Sequence, residues 1–262
     1  MNTNNCWFII IILLLIAIFI IVYIFLSKSN ISEKMGNYMT SDELSKYLID
    51  DNDDYYKNFS NLDLKVRKVN NLDEYYNNIR KSSIDIDETS MNILNNCINK
   101  ANKKLRNYSC IGFDGNKCAD IEWNIGLVKD KLYEEGYPHT RHNLIIIPSY
   151  LLNSKSQLIN TLIHEKIHVY QKTYPEDIEK YLKANGFTKY KLRSEYNRMD
   201  NNTRSNPDMD KWIYKNNKDE IMLTEYMDNP NSIMDVKTKP INNTKFEHPF
   251  EFMAYDITNN IH

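Results

Sequence analysis

Small residues are scarce in this chain of 262 residues: it has five Ala and six Gly, with seven Pro and four Cys. So little Gly and Pro excludes collagen-like and low-complexity architectures, and no heptad run supports a coiled coil. Four Cys at this length exclude a disulfide-dense scaffold, and they lack the spacing of a zinc ribbon. An excess of one charge sign is also missing, since 33 Lys+Arg face 35 Asp+Glu. The chain therefore carries no bulk positive charge for nucleic acid, and no nucleic-acid partner is expected.

What is abundant needs discounting first. Asn occurs 36 times, and Ile, Lys and Tyr are frequent, the residues favoured by an AT-rich genome. Five N-x-[ST] sequons, at Asn30, Asn58, Asn107, Asn201 and Asn242, match the chance number and give no evidence of secretion. The hydrophobic fraction of 42% and aromatic fraction of 12% suffice for a packed core.

Residues Trp7 to Leu26 are apolar without interruption. Twenty residues at about 1.5 Å each span about 30 Å, a bilayer core. The run is longer than a signal-peptide core, no basic residue precedes it, and no A-x-A site follows. The expectation is a single-pass transmembrane helix at 7–26, with the lipid bilayer as a partner. Lys28 and Lys34 follow the run, which places the remainder on the cytoplasmic or virion-interior side.

Beyond the anchor, 27–40 reads as a polar tether, 41–110 as a helical N-terminal part and 111–262 as the chemistry-bearing part. Helices are expected over 41–49, capped by Ser41, and over 72–80 and 88–105. A strand is expected over Leu62–Val69, and Asp50–Asp54 reads as a solvated loop. Cys110 and Cys118 bracket an Asp-Gly turn and are either a hairpin disulfide or two free thiols. Ile121–Val128 and Asn143–Ile147 read as strands. A helix capped by Ser154 or Ser156 runs to about Thr173, and Pro175 starts another that ends at Gly186. Lys211–Lys215 and Glu220–Met227 can pair, and His248-Pro249 opens a last helix. The class is α+β.

His164-Glu165-Lys166-Ile167-His168 is an H-E-x-x-H on a helix. With six His and 15 Glu in the chain, roughly 0.008 random matches are expected. Positions i and i+4 are about 400° apart around a helix, so both imidazoles face one way and can share one Zn²⁺. Glu165, about 100° from His164, can reach a metal-bound water without being a ligand, as a general base must. A catalytic zinc needs a third protein ligand. Tyr174 stands six residues after His168, so the ligand comes from further along. Glu251 is preferred because Ala254 lies one turn later and lets two helices approach closely; Glu195 and His248 are the rivals. An oxyanion donor is sought among Tyr226, Tyr255, Arg198 and His142. His139 and His142 are read as shaping the cleft, and Asp208 either orients a histidine or makes an Asx turn.

With its H-E-K-I-H and downstream E-F-M-A, the chain resembles the gluzincin-type zinc metallopeptidases. The segments GYPHTRHNLIIIP, HEKIHVYQKTYP, RSNPDMDKW and EHPFEFMAY, over about 120–260, are similar to membrane-anchored metallopeptidases predicted in large DNA viruses. The family pattern departs at one place: Glu251 follows His168 by 83 positions, so an insertion must fold over or beside the site. The resemblance implies a zincin-like catalytic domain behind the N-terminal transmembrane helix. Its parts would be a small sheet, an active-site helix and a Glu-bearing helix. It implies His164, His168 and Glu251 on zinc, Glu165 as general base, and a peptide or protein substrate for an endopeptidase. It also implies a cleft strand, here Asn143, Leu144 and Ile145, pairing with the substrate main chain. The alternative is a catalytically inactive zincin-fold structural or virion membrane protein.

Overall fold

A computed structural model of the chain describes residues 35–261 apart from 58, 130, 197–201 and 240–245, together with Ile16 and Ile18. Residues 1–34 form a unit of their own, in which the two described residues are helical and exposed.

Helices α1 (Ser41–Asp50), α2 (Asn61–Val66), α3 (Leu72–Ser82) and α4 (Glu88–Arg106) come first, with short strands β1 (Asn37–Tyr38) and β2 (Ser83–Ile84). A hairpin, β3 (Ser109–Cys110) and β4 (Phe113–Asp114), leads into α5 (Gly115–Asp120). Then follow β5 (Asn124–Val128), β6 (His139–Arg141), β7 (Leu144–Pro148), α6 (Lys155–Thr173) and α7 (Pro175–Ala184). The chain closes with β8 (Thr188–Leu192), α8 (Arg193–Tyr196), β9 (Trp212–Lys215), β10 (Ile221–Tyr226), β11 (Val236–Lys239) and α9 (Pro249–Asn260). The main sheet has the order β1-β5-β7-β6, with β2 also on β5, and a second sheet has the order β11-β10-β9-β8.

The main sheet is covered on both faces. Ile125, Leu127, Ile145 and Ile147 point into the larger core with α4, α6 and α9. Leu144 and Ile146 point the other way, against Leu44, Leu48, Tyr75 and Ile79 of α1 and α3. A strand buried on both faces reads as one continuous apolar run, which is why Leu144–Ile147 shows no alternation. Gly126 permits the close approach of α1, since a Cβ there would sit 2.5 Å from Leu44 Cδ1.

Several expectations are corrected. No helix among the described residues is long and apolar enough to cross a membrane. The longest, α4 and α6, have 19 residues each and carry charged side chains, and their apolar residues are spent on the protein core. The span expected at 7–26 lies outside the described residues except Ile16 and Ile18. The transmembrane element of the fold and the cytoplasmic or virion-interior placement are therefore withdrawn; the α+β class stands.

The tether and the helical part are not separate from the rest, because β1 and β2 both pair with β5. Residues 62–66 are helical rather than extended. The Ser60 side chain accepts from the Asp63 N–H and the Asp63 side chain accepts from the Ser60 N–H, and this capping box overrides an apolar–polar alternation. Helix α1 is capped by Thr40, one residue before the expected Ser41. The acidic run is not a solvated loop, since Asp51 is buried and both Asp51 and Asp53 pair with Arg141. Cys118 is buried on α5 and Cys110 is exposed, and both are free thiols.

Candidate metal centre

Helix α6 positions the H-E-x-x-H. From Glu165 to Gln171 every residue is buried, because α4, α5, α9 and the sheet surround this half of the helix. Lys166 is fully buried, yet its ammonium donates to the carbonyls of Ile121 (2.9 Å) and Glu122 (2.7 Å) and lies 4.3 Å over Trp123. Helix α9 opens with His248 as cap and Pro249 at its first position, and carries Glu251 in its first turn. Its buried face, Met253, Ala254 and Ile257, packs in the same core as α6.

This packing brings three ligand-type atoms together. His164 Nε2 and His168 Nε2 are 3.1 Å apart, and Glu251 Oε2 lies 3.5 and 3.8 Å from them. Ligand atoms around a tetrahedral zinc, with bonds of about 2.0–2.1 Å, are about 3.3 Å apart. The donor set also fits: two imidazole nitrogens and a carboxylate oxygen converge, as for a zinc that keeps one open position. Two of the three are oriented from behind. Gln171 Oε1 lies 2.9 Å from His168 Nδ1, so Nδ1 carries the proton and Nε2 keeps its lone pair. Gln171 in turn donates to the Phe250 carbonyl at 2.9 Å, next to Glu251. Asn206 donates to Glu251 Oε1 at 3.0 Å and leaves Oε2 toward the histidines.

No protein-family model, curated protein or solved structure matches the chain. The gluzincin resemblance and the zincin-like fold expected from it thus have no relative behind them.

Electrostatics separates the two histidines. Burial pushes His168 down to about 3, which keeps it neutral. Burial acts the same way on His164, but the hydrogen bond to Glu251 and the charges of Glu165, Glu251 and Asp208 together outweigh it and raise that ring to about 9. The same pairing holds Glu251 well below the usual carboxylate range despite its burial. Glu165 is raised by burial and then by the charge of Asp208. Its Oε2 accepts from Thr140 Oγ1 at 2.9 Å.

The rival ligands are elsewhere. Glu195 is exposed on α8. His248 caps α9: its Nδ1 accepts from the Phe250 N–H at 3.1 Å, and its Nε2 donates to Asp210 at 3.2 Å. Of the four oxyanion candidates, Tyr255 lines the cavity, with its ring centroid 4.5 Å from that of His164. Tyr226 donates to buried Asp63 at 2.8 Å, His142 sits exposed in a turn at φ 52°, and Arg198 lies outside the described residues. Asp208 accepts from the Thr140 N–H at 2.7 Å, and its ligand atom lies within 4.8 Å of those of Glu165 and His168. The Asx turn belongs to Asn206, whose Oδ1 accepts from the Asp208 N–H at 2.9 Å.

The expected substrate strand is corrected. Leu144 and Ile145 are fully buried, and β7 is paired on one side with β5 and on the other with β6, so it has no free edge there. Asn143 is exposed but lies in the turn before the strand. The edge strand is β6, and its residue His139 lines the cavity of about 500 Å³ beside the histidine pair. Sequence reasoning missed Thr140, Asn206 and Gln171. Only Gln171 had a local signal, three residues after His168 on the same helix face.

Proposed function

We propose that this chain is a zinc-dependent peptide hydrolase of gluzincin type. The supporting observation is the convergence of His164 Nε2, His168 Nε2 and Glu251 Oε2 within 3.8 Å of one another, on two helices. A zinc ion held there supplies a Lewis acid and a water of lowered pKa. Glu165 then acts through its carboxylate: it takes a proton from the attacking water and passes it to the nitrogen of the departing amine. The water oxygen stays on the carbonyl carbon and the C–N bond breaks. Thr140 steadies Oε2 of Glu165 during both transfers. The Tyr255 hydroxyl is the donor offered to the oxyanion.

The test is zinc content and peptide hydrolysis of the full chain, wild type beside Glu165→Gln and Glu251→Ala. Wild type should hold one zinc per chain and cleave peptide. Glu165→Gln should keep the zinc and lose about 10²–10⁴ in rate. Glu251→Ala should lose or weaken zinc binding. A wild-type chain without stoichiometric zinc sinks the reading, and zinc without hydrolysis points to a structural metal.

A further inference from the structure

The cavity beside the histidine pair is acidic. Among the described residues, five carboxylates and two arginines line it. Both guanidiniums are already engaged, Arg67 with Glu134 at 2.8 Å and Arg204 with Glu247. The described lining thus offers no uncommitted guanidinium to a ligand carboxylate.

Acceptors, in contrast, are available. His139 is 3% exposed, and its Nδ1 lies 3.0 Å from the Tyr137 carbonyl oxygen. A carbonyl only accepts, so Nδ1 carries the proton, and burial holds the ring neutral. Nε2 is then a bare lone pair, buried and with no hydrogen-bond partner. Such an atom wants a donor. The charges of Asp208 and Glu134 both act on the His139 ring, and Asp208 and Glu165 line the same cavity.

The sheet edge points the same way. Thr140, at the centre of β6, donates its N–H to Asp208 at 2.7 Å, and its carbonyl accepts from Lys172 at 2.8 Å. Lys172 also donates to the Pro207 carbonyl at 3.0 Å, so the 206–208 segment is fastened along this edge. A substrate main chain cannot pair at Thr140 and continue along β6.

We propose that Asp208 and His139 seat the α-ammonium group of a peptide substrate, so that hydrolysis occurs at the peptide's N-terminal end. The ammonium supplies donors to the Asp208 carboxylate and to His139 Nε2, and β6, whose outward groups at Thr140 are taken by Asp208 and Lys172, offers no main-chain pairing to residues before it. This inference rests on the peptide-hydrolase reading.

The test uses the zinc-loaded full chain and three peptides of one sequence, followed by mass spectrometry: a free N-terminus, an acetylated N-terminus, and an acetylated N-terminus with one internal lysine. The free peptide should be cut at its N-terminal end, about 10–100-fold faster than the acetylated one, as expected for losing one hydrogen-bonded charge. Equal internal cleavage of the free and acetylated peptides overturns the proposal and leaves the hydrolase reading standing. Preference for the acetylated lysine peptide moves the ammonium site to a side chain and overturns the N-terminal assignment. Cleavage of none overturns both readings.

Binding separates the subsite from turnover. Calorimetry on zinc-loaded Glu165→Gln should find the free peptide bound more tightly than the acetylated one, and equal affinity overturns the proposal. Asp208→Asn keeps an oxygen for the Thr140 N–H while removing the charge, and His139→Phe removes the acceptor. Either variant should bring the free-to-acetylated ratio of KM values toward one, and an unchanged ratio in both overturns the assignment.

Discussion

His164 Nε2 and Glu251 Oε2 lie 3.5 Å apart, although 87 positions separate the two residues in the chain. Asn206 orients Glu251 from behind, and Gln171 does the same for His168, the other imidazole of the cluster. Gln171→Leu should leave the fold intact and weaken zinc binding about 10–100-fold. Competition against a chromophoric chelator measures this. Unchanged affinity would mean that the Gln171 contact does not orient His168 for a metal.

Arg67 joins the N-terminal helices to the rest of the core. Its side chain is buried, with Glu134 at 2.8 Å, Asp63 at 3.5 Å and the Tyr55 hydroxyl at 2.7 Å. Removing one member leaves buried carboxylates uncompensated, which costs about 3–5 kcal/mol. Arg67→Met should lower stability by that amount in urea unfolding, and adding Glu134→Gln should recover part of it. Full additivity of the two changes would argue against the pairing.

Lys166 is the buried charge inside the H-E-x-x-H itself. Lys166→Met keeps the length of the side chain and strands the Ile121 and Glu122 carbonyls. A loss of about 1–3 kcal/mol is expected, read by denaturant melts. A neutral result would mean that water reaches those carbonyls.

Asp177, near the start of α7, gives an acid limb outside the candidate metal centre. Hydrogen bonds from Lys117, Lys180 and Tyr170 hold its carboxyl down to about 2. The folded value is depressed, so the stabilisation is complete above the ordinary carboxyl pKa of about 3.9 and fades as pH falls toward 2. Asp177→Asn should flatten the stability profile between about pH 4 and 2, lowering stability at pH 7 and changing little at pH 2. High salt should reduce the difference, because both lysines are largely exposed. Thermal melts across that range decide it.

Legibility in the sequence followed the range of each interaction. The helix at 155–173 and its histidine pair were readable because a 3.6-residue period is local. The start of α9 was readable from His248-Pro249. Leu62–Val66 misled because a capping box and an alternating pattern compete over the same residues, and the box, made by neighbours three apart, won. Asn143–Ile147 was recognised as extended, but a continuous apolar run does not say which edges are paired.

By itself the sequence determined that two imidazoles share one helix face with a glutamate beside them, since helical geometry alone puts them there. It also narrowed the third candidate ligand to Glu251, Glu195 and His248. The tertiary structure decided which of them meets the histidines, because a contact across 87 positions comes from the packing of α9 on α6. It decided, too, that β6 is the edge and that Asp208 and Lys172 close it at Thr140. No pattern within β6 carries that information, because the groups that satisfy the outward backbone of Thr140 belong to segments more than 30 residues away.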